Sequence, residues 1–242
     1  MSLPSALIIK APGTNRDGDV AFALELAGAA PRVVLTGELA TDPNPIDDAQ
    51  LLVIAGGFSH ADALGAGRLF ALELQLALSD RLAAFIERGR PVIGICNGFQ
   101  ALVRTGLLPG NDHRVALAHN ESGHFQCRWV QLQPASTRCV WTAGLTELID
   151  CPIAHGEGRL VCDDATFDHL VANDQIALTY WGDNPNGSRA AIAGICDSTG
   201  VVLGLMPHPE NHVVPSQFPR HDRRGGLGLA LFQQGVAHAK ET

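Results

Sequence analysis

The residues whose types and surroundings most clearly indicate catalysis are a cysteine and a histidine that lie far apart in the chain. Cys96 stands in Gly94-Ile95-Cys96-Asn97-Gly98, where the apolar run 91–96 should meet a helix. Glycines two residues to either side of a nucleophile are typical of a sharp strand-to-helix turn. The N-terminus of the following helix favours a thiolate. The pattern predicts a nucleophile, and a buried core cysteine is the alternative interpretation.

A base for this thiol is predicted from the segment Met206-Pro207-His208-Pro209-Glu210. A nucleophilic thiol needs a general base, commonly histidine, that a third group orients. The segment follows the apolar run 201–205, and a strand that ends there would bring His208 to the sheet edge that carries Cys96. Glu210 is close enough along the chain to fix the imidazole. The two prolines also fit an exposed turn, so the triad interpretation depends on Cys96 and His208 meeting.

The elements that must position these residues alternate between apolar strands and amphipathic helices. This alternation predicts an α/β fold whose central sheet is mostly parallel and flanked by helices, with an added antiparallel strand region after residue 109. We predict one domain over residues 1–242. The predicted strands are 6–11, 32–35, 51–55, 91–96, 115–118, 125–132, 176–181, 190–196 and 201–206, and the predicted helices are 20–27, 69–88, 99–107 and 226–240.

Composition limits the function classes. The chain has 242 residues, 46% of them hydrophobic, and a formal net charge of -8. An acidic protein is a poor partner for nucleic acid, and no apolar run approaches the ~18 residues of a membrane span. The six cysteines form no C-x-x-C pair, and the first residues do not resemble a signal peptide. We therefore expect reduced thiols, a cytoplasmic location, and neither nucleic acid nor membrane as a partner.

Two groups of residues stay open to more than one interpretation. No metal is predicted on this chain, although spacing alone does not exclude His119, His124 and His155 as ligands. The densest basic cluster lies late in the chain and is either a solvated loop or a docking surface for a partner or a phosphate. It contains Arg220, His221, Arg223 and Arg224.

Several segments together resemble a known family. The stretch Gly94-Ile95-Cys96-Asn97-Gly98-Phe99-Gln100 and the motif Pro207-His208-Pro209-Glu210 resemble the class I (triad-type) glutamine amidotransferases. Further segments narrow the resemblance to the small glutaminase subunit of phosphoribosylformylglycinamidine synthase. These are Pro12-Gly13-Thr14-Asn15, Gly56-Gly57-Phe58-Ser59, His155-Gly156-Glu157-Gly158-Arg159 and Asn184-Pro185-Asn186-Gly187-Ser188.

The resemblance implies a catalytic role for each matched residue. Cys96 would attack the side-chain amide of L-glutamine, His208 would move the proton, and Glu210 would orient His208. The oxyanion hole would come from backbone N–H groups near Gly57 and at Asn97. A sixth residue, Gln100, would help to hold the substrate.

The resemblance also implies partners. Ammonia would pass to a large synthetase subunit that carries ATP and Mg²⁺, with no cofactor on this chain, and some family members include a third small subunit. The sequence departs from the family pattern at His60-Ala61 (where Tyr-Gly is usual), Gly65, Phe99 and Leu160. None of these is a triad residue, and the loop departures concern partner docking and coupling. A stand-alone cysteine hydrolase and a catalytically silent docking subunit are the alternatives.

Overall fold

One large mixed sheet organises the chain. The computed structural model describes residues 2–110, 113–219 and 225–242, so the basic cluster at 220–224 lies outside the described residues. The strands are β1 (Ser5–Lys10), β2 (Ala30–Leu35), β3 (Leu51–Ile54), β4 (Val92–Ile95), β5 (Ala116–His119), β6 (Gln126–Pro134), β7 (Ile149–His155), β8 (Glu157–Val161), β9 (Ile176–Trp181), β10 (Ile192–Cys196) and β11 (Val202–Leu205). The α-helices are α1 (Asp17–Ala27), α2 (Thr36–Thr41), α3 (Asn44–Asp48), α4 (Arg68–Glu87), α5 (Asn97–Arg104), α6 (Asp164–Ala172) and α7 (Leu229–Ala239).

The nine strands of the main sheet are ordered β2-β1-β3-β4-β11-β10-β9-β6-β7. Neighbours from β2 to β11 are parallel, and neighbours from β11 to β7 are antiparallel. Strands β5 and β8 form a separate antiparallel pair. This arrangement confirms the predicted fold class, including the added antiparallel region.

The central strands β4 and β11 bring the two halves of the sequence together. They pair in parallel, with Ile95 opposite Leu205, so both strands end at the same sheet edge. All four residues of each strand are buried, as expected for strands covered on both faces. The carboxyl ends of parallel strands are where sites form in such sheets. Residues 96 and 208 therefore project from adjacent strand ends.

Close packing between α5 and the sheet depends on glycine. An added Cβ at Gly98 would lie 1.9 Å from the carbonyl oxygen of Ile54 on β3. The glycines around Cys96 thus serve the approach of helix to sheet as well as the turn itself.

We predict that Gly98→Ala lowers the free energy of unfolding by about 1–3 kcal/mol, because backbone atoms must separate to admit the methyl group. Urea denaturation measures the change. The matched control is Gly37→Ala in α2, where no atom lies within 4 Å of the added Cβ. Equal stability of the two variants would contradict the packing argument.

Some elements were not predicted from the sequence. Helix α6 carries a local signal, since the side chain of Asp163 accepts a hydrogen bond from the N–H of Thr166 at its N-terminus. Strand β7 includes Pro152 and Asp150, both of which are rare in strands, so propensity argues against it. Helices α2 and α3 are short, and β8 was also missed. Within the described ranges, no helix is long and apolar enough to cross a membrane.

Candidate active site

Cys96 occupies a strained turn between β4 and α5. Its backbone angles are φ 50° and ψ -106°, a conformation that residues with a side chain rarely adopt. The N–H of Cys96 donates to the carbonyl of Leu205 at 2.8 Å, which fixes the turn to the neighbouring strand β11. Surrounding structure must hold such strain, and it often marks a functional position.

The Cys96 side chain borders a small cavity. The residue is 6% exposed and lines a space of about 180 Å³ together with His208, Gly57 and Asn97. Its Sγ lies 3.9 Å from the carbonyl oxygen of Ala154 at the end of β7. The thiol is therefore positioned at a cavity wall, not enclosed on all sides by core side chains.

His208 and Glu210 form a buried pair beside this thiol. Nδ1 of His208 lies 2.7 Å from Oε1 of Glu210, and both residues are buried. Cys96 and His208 line the same cavity, and Cys96 interacts electrostatically with the imidazole. The structure therefore brings the three residues predicted from the sequence to one place, with His208 between Cys96 and Glu210.

The charges in this group favour an imidazolium. Burial alone would lower the pKa of His208, but the negative charge of Glu210, the nearby Cys96 and the hydrogen bond to Glu210 raise the pKa to about 10. Because the Nδ1–H of His208 donates to Glu210, Nε2 is the ring nitrogen left to interact with Cys96. At neutral pH the ring of His208 can therefore donate a proton to a group next to the Cys96 sulfur and later accept one back.

A second cysteine near the pair, Cys151, lies in the core and does not line the cavity. Cys151 is fully buried, and burial followed by the charge of Glu210 raises the pKa of its thiol well above the ordinary value. Cys151 is therefore kept as a neutral thiol. Of these two cysteines, Cys96 lies at a helix N-terminus on the cavity wall.

The residues predicted for an oxyanion hole flank the cavity. Gly57 follows β3 with φ 99°, and an added Cβ would lie 2.1 Å from Oδ1 of Asn15. Asn97 is the first residue of α5, where backbone N–H groups have no partner inside the helix. Among the described residues, the N–H groups of Gly57 and Asn97 donate no hydrogen bond, so both are free to bind a ligand oxygen.

The side chain of Asn97 has a positioning role that sequence reasoning missed. Its Oδ1 accepts from the N–H of Ser59 at 2.6 Å, and its Nδ2 donates to Oδ1 of Asp62 at 3.0 Å. Nδ2 also donates to Oε1 of Gln100 at 2.7 Å. This one amide therefore ties the loop after β3 to the first turn of α5. No local pattern could reveal it, because the partners are distant in sequence.

Gln100, the predicted substrate-binding residue, is held in place within the protein. Its Nε2 donates to the carbonyl of Glu157 at 2.5 Å, and the residue is buried. It lines the small cavity and also a larger cleft of about 1170 Å³ bordered by α4, α5 and β5. The structure thus uses the amide of Gln100 to fix the start of β8 at the cavity wall.

His155, one of the histidines left open as a metal ligand, is a neutral ring in the cavity wall. Burial and the nearby charge of His208 lower its pKa to about 4. Its Nδ1 lies 3.0 Å from Oδ1 of Asn120. His119 and His124 are exposed. Over residues 2–110, 113–219 and 225–242, no group of three His, Cys, Asp or Glu side chains could hold a metal ion.

Comparison with known proteins agrees with this geometry. Residues 3–239 match the family model described as the CobB/CobQ-like glutamine amidotransferase domain. The chain is 48% identical to the phosphoribosylformylglycinamidine synthase subunit PurQ of Treponema denticola, over 96% of this chain and 98% of that protein. The chain belongs to the PurQ family of glutamine amidotransferases.

Other PurQ proteins match over the full length. The PurQ subunit of Dehalococcoides mccartyi is 41% identical, with all of both chains covered. A solved structure of PurLQS from Thermotoga maritima contains a chain that is 35% identical, with a TM-score of 0.78 and coverage of 97% of this chain and 98% of that chain. The whole chain is thus of PurQ type.

The positions that depart from the family pattern differ in location. Leu160 is 1% exposed and belongs to the core. His60 and Ala61 lie in the loop that follows β3, next to Gly57. This loop borders the cavity of Cys96, so changes in the loop can alter the shape of that cavity.

Proposed function

We propose that this chain is the glutaminase subunit of a phosphoribosylformylglycinamidine synthase. It hydrolyses L-glutamine and supplies ammonia to a large ATP-dependent synthetase subunit, in the cytoplasm, for purine biosynthesis. The observation that carries the proposal is the position of the Cys96 thiol, on its strained turn, in the same cavity wall as His208 of the buried pair His208–Glu210. The names of the full-length relatives support the particular synthase.

In the first half-reaction, the Cys96 thiolate attacks the carbonyl carbon of the glutamine side-chain amide. The N–H groups of Gly57 and Asn97 bind the oxygen as it gains negative charge. His208 then donates its proton to the amide nitrogen, the C–N bond breaks, and ammonia leaves. The product is a γ-glutamyl thioester on Cys96.

In the second half-reaction, a water molecule attacks the thioester. Neutral His208 accepts a proton from the water, the C–S bond breaks, and glutamate leaves as the Cys96 thiolate is restored. Glu210 holds the ring through Nδ1 and stabilises its positive charge in both halves. Atoms and protons balance without a cofactor on this chain.

The size of the cavity limits the substrate. A space of about 180 Å³ is below the roughly 300–1,000 Å³ of pockets that enclose larger ligands. It therefore suits one amino-acid side chain, not a nucleotide or a polypeptide. A nucleotide therefore does not fit this cavity, and we place the nucleotide chemistry on the partner subunit.

A glutaminase assay with and without the large subunit tests the proposal. We expect slow release of glutamate from this chain alone and a large increase when the synthetase subunit and its nucleotide substrates are added. Equal rates with and without the partner would favour a stand-alone hydrolase. No glutamate release in the complex would favour a silent docking subunit.

We predict that Glu210→Gln shifts the pH dependence of glutamine hydrolysis. The imidazolium of His208 is present below its raised pKa of about 10 and is lost as the pH rises through that value. A neutral glutamine removes the charge that raises the pKa, so the alkaline limb of kcat/KM moves to lower pH. The control is Glu87→Gln at the exposed end of α4. An alkaline limb at the same pH in both variants would contradict the role of Glu210.

A further inference from the structure

The loop after β3 has an unusual backbone. Five of its residues that carry a Cβ have positive φ, in a conformation that is costly for L-residues. They are Phe58 (56°), His60 (51°), Ala61 (54°), Asp62 (54°) and Leu64 (62°). Contacts from outside must over-determine such a conformation for it to persist. The loop begins at Gly57, whose N–H borders the cavity.

The inner side of the loop is fastened to the active site. The side chain of Asn97 binds the N–H of Ser59 and the carboxylate of Asp62. The carbonyl of Gly57 accepts from the N–H of Asn15 at 3.1 Å. The N–H of His60 donates to the carbonyl of Pro12 at 2.6 Å.

The outer side is fastened by one carboxylate. Oε1 of Glu73, on α4, lies 2.9 Å from Nε2 of His60, in a geometry that allows an ion pair with the protonated ring but not a hydrogen bond. Its other oxygen, Oε2, accepts from the hydroxyl of Thr36 at 2.5 Å. Thr36 is 2% exposed at the start of α2, so it is a fixed point. We call Thr36, Glu73 and His60 the loop clamp.

We propose that the loop clamp sets the position of the Gly57 N–H and thereby the strength of the oxyanion hole. The inference rests on the proposed glutaminase function. His60 is three residues from Gly57, and the residues around it are held in the costly left-handed conformation. If the clamp is released, the loop relaxes toward negative φ and the Gly57 N–H turns away from the oxyanion. The three clamp residues touch neither substrate nor sulfur and act by positioning.

The backbone of Ala61 gives the clamp a physical reason. Glycine adopts a φ of +54° without steric cost, whereas Ala61 carries a Cβ that opposes it. The contact of the neighbouring His60 with Glu73 offsets this cost.

Two rates distinguish a positioning role of the clamp from a general loss of active-site structure. Hydrolysis of glutamine passes through an oxyanion, whereas alkylation of Cys96 by iodoacetamide is a displacement at a saturated carbon and forms none. In His60→Ala we expect kcat for glutamine to fall about tenfold, a partial form of the ~10²–10³ cost of losing one donor. KM and the alkylation rate should stay within about twofold of wild type.

Two further variants test whether loss of the clamp causes the fall in kcat. Ala61→Gly in the His60→Ala background should restore most of kcat, because glycine no longer strains the loop. His60→Gln, which cannot form the ion pair with Glu73, should lower kcat as His60→Ala does. The control is Arg81→Ala, which breaks the ion pair of α4 with Asp47 away from the cavity; it should change neither rate.

The outcomes are distinct. An unchanged kcat in His60→Ala, or a parallel fall of kcat and alkylation rate, would overturn the clamp, as would failure of Ala61→Gly to restore kcat. If variants at position 60 unfold, the same two rates are measured on Glu73→Gln, where a fall in kcat alone is again expected. A wild-type chain that is alkylated at Cys96 but releases no glutamate, even in the complex, would show that the proposed function itself is wrong.

Discussion

Replacement of Cys96 by serine is expected to abolish glutamine-dependent synthesis by the complex while ammonia-dependent synthesis continues. A serine hydroxyl is not ionised at neutral pH, so the attacking thiolate at the N-terminus of α5 is lost. The fall in the glutamine-dependent rate should be at least ~10³-fold. Ammonia added to the solution bypasses this site, so the synthetase reaction itself needs no thiol on this chain.

A matched cysteine controls for effects of the substitution itself. Cys127→Ser removes an exposed free thiol on β6 and should leave both rates unchanged. Loss of both the glutamine-dependent and the ammonia-dependent reaction in Cys96→Ser would show that Cys96 is structural. Retention of glutamine-dependent synthesis would remove it from the mechanism.

The second large effect is expected at His208. His208→Gln keeps an amide N–H for Glu210, which is fully buried and would otherwise lose its partner. The variant should fold but lack a group that can take and return a proton. We expect kcat for glutamine hydrolysis to fall about 10³-fold or more.

Another histidine provides the control for this variant. His238→Gln changes a ring that bonds the carbonyl of Gly89, away from the cavity, and should leave kcat unchanged. The alkylation rate of Cys96 provides an independent reading, because loss of the imidazolium should weaken the thiolate and lower that rate at neutral pH. A His208→Gln variant with wild-type kcat would exclude His208 as the base.

The sequence predicted the parallel half of the sheet well because its strands are local apolar runs. Leu51–Ile54 and Val92–Ile95 are buried along their whole length, and each is followed by a glycine turn or an elbow. Because a nucleophilic thiol needs a base, the strand before His208 was predicted to end at the sheet edge that carries Cys96; the structure shows in addition that this strand, β11, pairs with β4. The fold class and the family were therefore within reach of sequence reasoning.

The parts that could not be predicted depend on contacts between distant segments. Strand β7 is stabilised by its pairing with β6, in spite of Pro152. The hydrogen bonds of the Asn97 side chain join positions 38 and 35 residues apart in sequence. The strain at Ala61 arises from a loop conformation that neighbouring segments impose. Periodicity and motif spacing carry no information about such contacts.

The central claim is that glutamine hydrolysis passes through a thioester on one cysteine. The most direct test mixes the chain with glutamine, quenches in acid within a single turnover, and locates the γ-glutamyl adduct by peptide mass spectrometry. The adduct is predicted on the peptide that contains Cys96 and on none of the other five cysteines. An adduct on another cysteine, or glutamate release with no adduct on Cys96 under conditions that trap thioesters, would contradict the mechanism.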